Sequence, residues 1–258
     1  MNYNYFLNIY GYEPSKGWEG YKKQLNEQGM ATDFHDEFGF GYKPGSASPS
    51  PIPSGHEYVD LGLPSGTLWA TESIKDTNGN ELYFAWGETQ GYTSGQVGTD
   101  KYFAWEGDNA DYKYGTYNDS DEQNWGMEKY NESDGKTELE ATDDAATVNW
   151  GSDWRMPTKE QFEELTANTE YEWTEIDGVQ GGKFTSTVSG YTDKFLFFPA
   201  VGITADGGVR EVGDYWSVSL NDEDVSGAWA LYFENGSCEM ISVGRSCGLS
   251  VHPVRIAQ

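Results

Sequence analysis

The stretch WRMPTKEQFEELTAN, residues 154–168, gives the clearest prediction of the fold. Thr158 stands where a helix N-cap is expected, and Gln161 follows three residues later, which completes a capping box. Phe162 and Leu165 recur at helical spacing and form a short apolar stripe. The sequence therefore predicts a helix that begins after Thr158 and packs Phe162 and Leu165 against a core.

Short apolar segments separated by Gly, Asn and Asp predict strands on both sides of this helix. Upstream, EYVDLGLPSGTLWA predicts two strands around a turn at residues 64–66, and ELYFAWGE predicts a third. The downstream strand segments are FLFFPAVG, DYWSVSL, GAWALYFE, SCEMIS and LSVHPVR. The polar region from about 90 to 147 predicts an elaborated loop face. We therefore expect an α+β fold with many short strands and one or two helices.

The composition of the chain predicts three parts. The segment KPGSASPSPIPSG contains four of the nine prolines among small polar residues, so residues 44–54 are predicted to be an extended linker. Residues 1–43 include a predicted helix, Ser15–Gly29, and are expected to be a small attachment or assembly module. Through this module the chain could form a homo-oligomer such as a trimer. Residues 55–258 are expected to form one larger domain.

The charge of the 258-residue chain excludes several classes of partner. A net charge of −27 without basic stripes excludes a nucleic-acid binder. No apolar run approaches the roughly 20 residues that span a bilayer, so membrane insertion is not expected. The first residues lack a basic segment followed by an apolar one, so no conventional signal peptide is predicted. The acidic clusters lack a calcium-loop pattern and are expected to be solvated surface.

No catalytic arrangement is predicted from the residue types. His35, His56 and His252 occur in unrelated contexts and are expected to be surface or packing residues. Cys238 and Cys247 are too few for a disulfide framework. No glycine-rich loop follows a strand and opens a helix. We therefore expect no enzyme activity, no catalytic residue, no cofactor and no bound metal.

Several ordered motifs carry a resemblance to a known family. GHEYVDLGLPSGTLWA, YFAWGET, DDAATVNWGSDWRMPTKEQFEEL, FLFFPAVG, YWSVSL, AWALYF and GLSVHPVR resemble the Fibrobacter-type major paralogous domain, frequent in gut Bacteroidetes and their phages. WRMPTKEQFEEL also resembles the W-R-L-P-T-E-x-E-W-E helix of formylglycine-generating enzymes. Both families share a C-type-lectin-type fold, which the resemblance implies for residues 55–258.

The functional motifs of these relatives are incomplete in this chain. Sugar-binding lectins of this fold hold calcium with a Glu-Pro-Asn or Gln-Pro-Asp loop and a Trp-Asn-Asp strand; neither tripeptide occurs, and the nearest strand match is Leu220-Asn221-Asp222. Formylglycine-generating enzymes bind copper with two cysteines a few residues apart. Cys238 and Cys247 have eight residues between them, which is the wrong spacing. Calcium-dependent sugar binding and oxidase activity are therefore not expected.

The C-terminal stretch 215–255 mixes regular and irregular positions. Trp229, Leu231 and Phe233 alternate at period 2 and should face the core, whereas Ala230 and Tyr232 should point to the opposite face. A fold that tolerates varied surface residues needs a core that carries its stability. The residues expected to form this core are Trp154, Trp216, Trp229, Phe198 and Leu231.

The irregular positions share a genetic property. Their Ser, Gly, Ala, Tyr, Cys, Ile and Val residues can arise by mutating the first two bases of the asparagine codons AAC or AAT, whereas Lys, Glu, Gln, Met and Trp cannot. The stretch thus resembles the targets of diversity-generating retroelements, in which an error-prone reverse transcriptase randomises template adenines and rewrites the 3′ end of a gene. Glu223, Glu234 and Glu239 must then be fixed. The variable region is expected at about 218–247, and its ligand-binding face comprises Asp224, Ser226, Gly227, Ala230, Tyr232, Ser237, Cys238, Ile241, Ser242, Val243, Gly244, Ser246 and Cys247.

The sequence thus favours a non-enzymatic receptor-binding or adhesin protein with a retroelement-diversified surface. Its partner would be a protein or glycan on a bacterial cell surface, and Tyr232 would be the main anchor. The expected location is a phage tail or the surface of a bacterium. One alternative is a surface or extracellular protein of the paralogous family with a fixed ligand; the other is an oxidase of the formylglycine-generating type.

Overall fold

The computed structural model of this chain describes residues 55–103, 112–116, 126–204 and 206–256. These residues fall within the unit Pro53–Gln258, one of two into which the chain divides. The predicted module at 1–43, the linker at 44–54, the helix Ser15–Gly29 and His35 lie outside the described residues.

The described residues contain two α-helices, and a side chain caps each of them. Helix α1 is Ala145–Trp150, and its Asp144 cap accepts a hydrogen bond from the Thr147 backbone N at 2.9 Å. Helix α2 is Lys159–Ala167, and the predicted capping box is present: Thr158 Oγ1 accepts from Gln161 N at 3.2 Å, and Gln161 Oε1 accepts from Thr158 N at 3.0 Å. The predicted start of α2 is thereby confirmed.

Strands dominate the rest of the described chain and form five small antiparallel sheets. The strand orders are β1–β2–β13, β5–β6–β7 and β10–β11–β12, with the pairs β3–β4 and β8–β9. The strands are β1 Tyr58–Asp60, β2 Thr67–Ala70, β3 Gly115–Thr116, β4 Gly126–Met127, β5 Thr169–Ile176, β6 Val179–Ser186, β7 Phe195–Pro199, β8 Gly202–Ile203, β9 Val209–Arg210, β10 Gly213–Leu220, β11 Gly227–Glu234, β12 Ser237–Gly244 and β13 Val254–Ile256. The α+β class is therefore confirmed.

One predicted strand is absent from the structure, and one observed hairpin was not predicted. ELYFAWGE does not form a regular strand, because its residues pair singly with distant partners: Tyr83 bridges Tyr92, and Phe84 bridges Leu249. The long hairpin β5–β6 was not predicted, although its turn contains an Asp-Gly pair. Asp177 and Gly178 both have positive φ, at 52° and 81°, which is the conformation that such two-residue hairpin turns require.

Two hydrophobic clusters form the interior, and β11 contributes to both. The first cluster contains Trp86, Trp216 and Ala230, and the second contains Phe198 and Leu231. Neighbouring side chains of a strand point to opposite faces, so both faces of β11 are covered along its centre. The two apolar residues of α2 are fully buried in the second cluster, as predicted.

Four of the five expected core residues are confirmed, and one is wrong. Trp154, Trp216, Phe198 and Leu231 are at most 1 % exposed. Trp229 is only half-buried, and it lies opposite an irregularity in the pairing of β10 with β11, between Trp216 and Leu220. The ring therefore lies at the margin of the molecule and contacts the Lys159 side chain.

Candidate functional site

The candidate site lies on the sheet β10–β11–β12 and the turns next to it. Strand β11 is central, with β10 on one side and β12 on the other. Every residue of β10 is buried, whereas Val243 is the single buried residue of β12. Most of the predicted variable positions fall on β11, on β12 or on the turns at their ends.

The register of β11 and β12 divides the predicted variable positions between two faces. Trp229 pairs with Ser242 and shares its face with Leu231, which lies in the second cluster. Ala230 pairs with Ile241 on the other face, against the first cluster. The predicted opposite orientation of Ala230 and Leu231 is confirmed, but the variable positions do not share one face.

Exposure divides the thirteen predicted positions into three sets. The exposed set is Asp224, Ser226, Ser242 and Gly244. The half-buried set is Tyr232, Ser237, Cys238 and Ile241. The buried set is Gly227, Ala230, Val243, Ser246 and Cys247. As surface positions, the members of the buried set were therefore wrongly predicted.

Burial of these positions has a physical cause. Ala230, Val243 and Cys247 belong to the first cluster, where Leu249 and Val251 of the C-terminal segment also pack. Period-2 alternation predicted that this face of β11 points away from the core. In the structure, the C-terminal segment helps to cover it.

The remaining two buried positions are Ser246 and Gly227. Ser246 is 8 % exposed and lies between the buried Arg245 and Cys247. Gly227 is buried in β11, and a Cβ atom there would collide with the Ser242 hydroxyl. Any residue other than glycine at position 227 therefore requires the Ser242 side chain to move.

The exposed set forms one continuous surface, which we call the loop patch. Ser226 donates from its backbone N and its hydroxyl to Asp224 Oδ1, at 3.0 and 2.6 Å. Gly244 pairs with Gly227, the residue after Ser226. Asn221 Nδ2 donates to Ser242 Oγ at 3.0 Å, which joins the start of the β10–β11 turn to β12.

Tyr232 lies apart from the loop patch. It is five residues along β11 from Gly227, a separation of roughly 17 Å in a strand. Its hydroxyl donates to Glu234 Oε2 at 2.9 Å, and partial burial raises its pKa. Asp214, its partner on β10, is buried, which raises the pKa of that carboxyl to about 6. A ligand that contacts both Tyr232 and the loop patch must extend along the sheet.

The buried side chain of Arg245 fixes the backbone that carries part of the loop patch. Its guanidinium is fully buried and donates to the Tyr112 hydroxyl at 3.0 Å and to three backbone carbonyl oxygens. These belong to Lys129 at 2.9 Å, Val225 at 3.0 Å and Tyr130 at 3.1 Å. Val225 lies between two members of the loop patch, so this side chain fixes the turn that carries them.

Aromatic rings surround the same guanidinium. Its central carbon lies 4.8 Å from the Trp86 ring centre and 5.6 to 5.9 Å from those of Tyr112, Tyr114 and Tyr130. A cation enclosed by rings and carbonyl oxygens is stabilised without a carboxylate. Tyr130 has φ +57°, uncommon for a residue other than glycine, and its carbonyl oxygen accepts one of the hydrogen bonds from Arg245.

A charged cluster next to Arg245 was missed by sequence reasoning. The carboxylate of Asp143 accepts hydrogen bonds from Lys113 Nζ, Lys129 Nζ and the Tyr130 hydroxyl. Despite the opposing effect of burial, these hydrogen bonds lower the pKa of Asp143. Lys113, the Lys129–Tyr130 pair and Asp143 are separated by more than ten residues each, and no local pattern reveals that they meet.

The two cysteines lie in different surroundings. Cys238 packs against the second cluster, whereas Cys247 belongs to the first. Burial raises the pKa of each thiol to about 12, which keeps it protonated near neutral pH. Because the two cysteines lie in different clusters, they do not form the close pair of sulfur ligands that a copper site requires.

The two described histidines pack against aromatic rings, as predicted. His252 is fully buried, its ring centre lies 4.2 Å from that of Phe198, and its Nε2 lies 2.7 Å from the Ala70 carbonyl oxygen. Burial lowers the pKa of His252 to about 4. His56 stacks on Trp150 with ring centres 3.6 Å apart.

A small cleft opens beside the loop patch. It has a volume of about 250 Å³ and lies between the start of α2, the end of β10 and the exposed side of Trp229. Lys159 Nζ lies 3.7 Å from the centre of the Trp229 ring. Asp222, two residues before Asp224 of the loop patch, lines the cleft.

Comparisons with known proteins leave the family of this chain open. No family model, curated protein or solved structure matches it significantly. Neither described helix is long and apolar enough to cross a membrane. Within the described ranges, no three His, Cys, Asp or Glu side chains are grouped so that they could hold a metal ion.

Proposed function

We propose that this chain is a non-enzymatic binding protein with a C-type-lectin-type fold and a surface diversified by a retroelement. The loop patch, Asp224, Ser226, Ser242 and Gly244, is its main contact surface, and Tyr232 extends that surface along β11. The bound partner is a protein or glycan on a bacterial cell surface. The protein belongs to a phage tail or to the surface of a bacterium, and residues 1–43 attach or oligomerise it.

The observation that carries this proposal is the contrast between the loop patch and its support. The exposed side chains are small or acidic, and replacing such residues typically changes stability by no more than about 0.5 kcal/mol. Directly beneath them, Arg245 is fully buried and donates to three carbonyl oxygens of two separate backbone segments, 129–130 and the turn at Val225. A surface on such a support accepts many side chains and avoids the entropy cost of ordering mobile loops on binding.

The ordered motifs support the finer fold assignment. WRMPTKEQFEEL forms α2 with its capping box, and YWSVSL and AWALYF form neighbouring strands of one sheet. Such motifs carry the resemblance to the Fibrobacter-type paralogous domain. A fold of this type hosts unrelated functions, so the proposal depends on the loop patch and not on the fold alone.

The same observations weigh against the two alternatives. In a fixed-ligand protein of the paralogous family, the surface residues would have no reason to be limited to types that can be reached from asparagine codons. An oxidase would need two cysteines placed together, whereas Cys238 and Cys247 pack in different clusters. The buried set limits how far diversification extends, since Ala230, Val243 and Cys247 lie in the first cluster.

Deep sequencing of the locus in a growing population tests the proposal. We expect a neighbouring reverse transcriptase gene and a near-identical template repeat with adenines at the codons of the loop patch. Substitutions in the expressed gene should concentrate at codons 224, 226, 242 and 244, and codons 229 and 245 should stay constant. A locus with no template repeat and no excess of substitutions at these codons would overturn diversification in favour of the fixed-ligand alternative.

A further inference from the structure

We propose that the cleft beside the loop patch is a fixed binding site for a lysine or arginine side chain of a partner protein. The Trp229 ring is its floor, and Glu138, Glu160 and Asp222 are among the residues that line it. None of these belongs to the predicted variable face. The site therefore goes beyond the proposed function and does not depend on diversification.

The Trp229 ring already binds a cation within the protein. Lys159 Nζ lies 3.7 Å from the ring centre, which is closer than any other cation–ring contact among the described residues. Tryptophan gives the strongest attraction to a cation of all the aromatic side chains. The Lys159 contact shows that an ammonium group on a flexible aliphatic stem fits this cleft.

The backbone around Trp229 and Lys159 is held in place. Ser217 Oγ donates to the Trp229 carbonyl oxygen at 2.7 Å, and Lys159 N donates to Ser219 Oγ at 3.0 Å. Leu220 N donates to the Thr137 carbonyl oxygen at 2.8 Å, which ties the 137–138 segment to β10. The floor and the walls of the cleft are thus positioned before a ligand arrives, which lowers the cost of binding.

Charge favours a cationic ligand. The three carboxylates outnumber the one ammonium group, and within the described ranges none of the three takes part in an ion pair. Lys159 approaches a different carboxylate, Glu163 Oε1, at 3.7 Å. The net charge of −27 adds a long-range attraction for basic partners.

The size of the cleft favours a single side chain. Pockets for drug-sized ligands typically have volumes of roughly 300 to 1,000 Å³, and this cleft has about 250 Å³. A partner's cation would displace Lys159 from the ring, and Glu163 on the next turn of α2 is near enough to receive the displaced ammonium. The site would thus work by exchange of one cation for another, and Lys159 would weaken binding.

The test uses the full chain labelled with ¹⁵N at its tryptophan indoles. The probe is the peptide acetyl-Gly-Lys-Gly-amide, and the comparison peptide has norleucine, which lacks the charge, in place of lysine. We expect the Trp229 indole signal, assigned by its absence in Trp229→Leu, to shift with the lysine peptide and not with the norleucine peptide. In Trp229→Leu, the other indole signals should keep their positions and the peptide should bind at least fivefold more weakly.

Two lysine variants give a matched comparison. Lys159→Met keeps an aliphatic side chain but removes the competing ammonium, so peptide affinity should rise about threefold. Lys183→Met is the control: its side chain is also 28 % exposed, lies over the Phe195 ring and is 3.7 Å from a carboxylate, Glu172. This variant should bind the peptide as the parent chain does.

Three outcomes would overturn the site. These are equal shifts with the norleucine peptide, unchanged peptide affinity in Trp229→Leu, or a Trp229 signal that shifts with methyl glycosides but not with the lysine peptide. The last outcome would identify a sugar site instead. The locus result does not affect this test, so the two proposals fail separately.

Discussion

Strands β10 and β12 flank the same central strand and have the same length, but they differ in almost every other respect. All eight residues of β10 are buried, whereas one of the eight residues of β12 is. In β10, Tyr215 packs in the second cluster and Trp216 in the first. In β12, Glu239 and Ser242 are exposed.

This difference indicates a division of labour within one sheet. Hydrophobic burial is proportional to the apolar area removed from water, so β10 contributes far more stability than β12. The β12 side retains hydrogen bonds to β11 but leaves its side chains accessible. Folding and presentation of surface residues are thus assigned to opposite sides of β11.

The largest expected effect is that of replacing a β10 tryptophan. Trp216 is fully buried, and its indole N donates to the Phe84 carbonyl oxygen at 2.8 Å. Trp216→Ala should lower the free energy of unfolding by about 3 to 5 kcal/mol, through lost burial and the cavity left behind. On β12, Glu239→Ala should change it by no more than about 0.5 kcal/mol. Urea unfolding measures both, and similar losses in the two variants would contradict the division of labour.

The next effect depends on pH and concerns Glu81. Burial raises the pKa of this carboxyl from 4.5 to about 7, and the side chains of Ser73 and Ser250 oppose the shift. Ser250 pairs with Tyr215 of β10. The folded state therefore binds more protons than the unfolded state between these pH values. Stability gained from the raised pKa is present at low pH and is lost as pH rises through about 7, by up to about 3 kcal/mol.

Glu81→Gln should remove this loss. The free energy of unfolding of the variant, measured from pH 5 to 8, should therefore gain on that of the parent chain as pH rises to about 7. The pKa shifts of His252 and Asp214 act equally in both chains and cancel in this difference. Glu239→Gln, at an exposed position of β12, is the control and should follow the parent chain. A parent chain with the same pH profile as Glu81→Gln would show that the carboxyl is not buried.

The smallest expected effect separates two predicted variable positions. Tyrosine is reachable from an asparagine codon at both, but Ala230 is fully buried and Ser242 is exposed. Ala230→Tyr should therefore cost about 1 to 3 kcal/mol by overpacking the first cluster, whereas Ser242→Tyr loses only the hydrogen bond from Asn221 and should cost no more than about 1 kcal/mol. Thermal unfolding followed by circular dichroism distinguishes them. Equal melting temperatures would mean that the face of Ala230 is open.

Local patterns in the sequence predicted many of the described elements but not what covers them. Helix α2 could be predicted because Thr158, Gln161, Phe162 and Leu165 act within one short segment. The turn at Asp177 carried an equally local signal that could have revealed the β5–β6 hairpin.

The candidate site was harder to predict because exposure depends on distant segments. Alternation placed Ala230 and Leu231 on opposite faces correctly, but it could not show that residues such as Leu249 and Val251 share a cluster with Ala230. Trp229 follows the same alternation and is nevertheless not a core residue, and the β10–β11 pairing becomes irregular opposite it. The surroundings of Arg245 combine parts of the chain more than a hundred residues apart, which no local pattern reports.

The identity of the buried cation at position 245 has a consequence at the level of the genetic code. Arginine can be written CGT or CGC, which contain no adenine, whereas both lysine codons begin with two adenines. A reverse transcriptase that miscopies adenines would leave such an arginine codon intact and would destroy a lysine at the same place. Tryptophan at 229, leucine at 231 and phenylalanine at 233 can likewise be written without adenine. Arg245 is thus a cation that fills the aromatic cage and that could be inherited unchanged beside codons that such an enzyme rewrites.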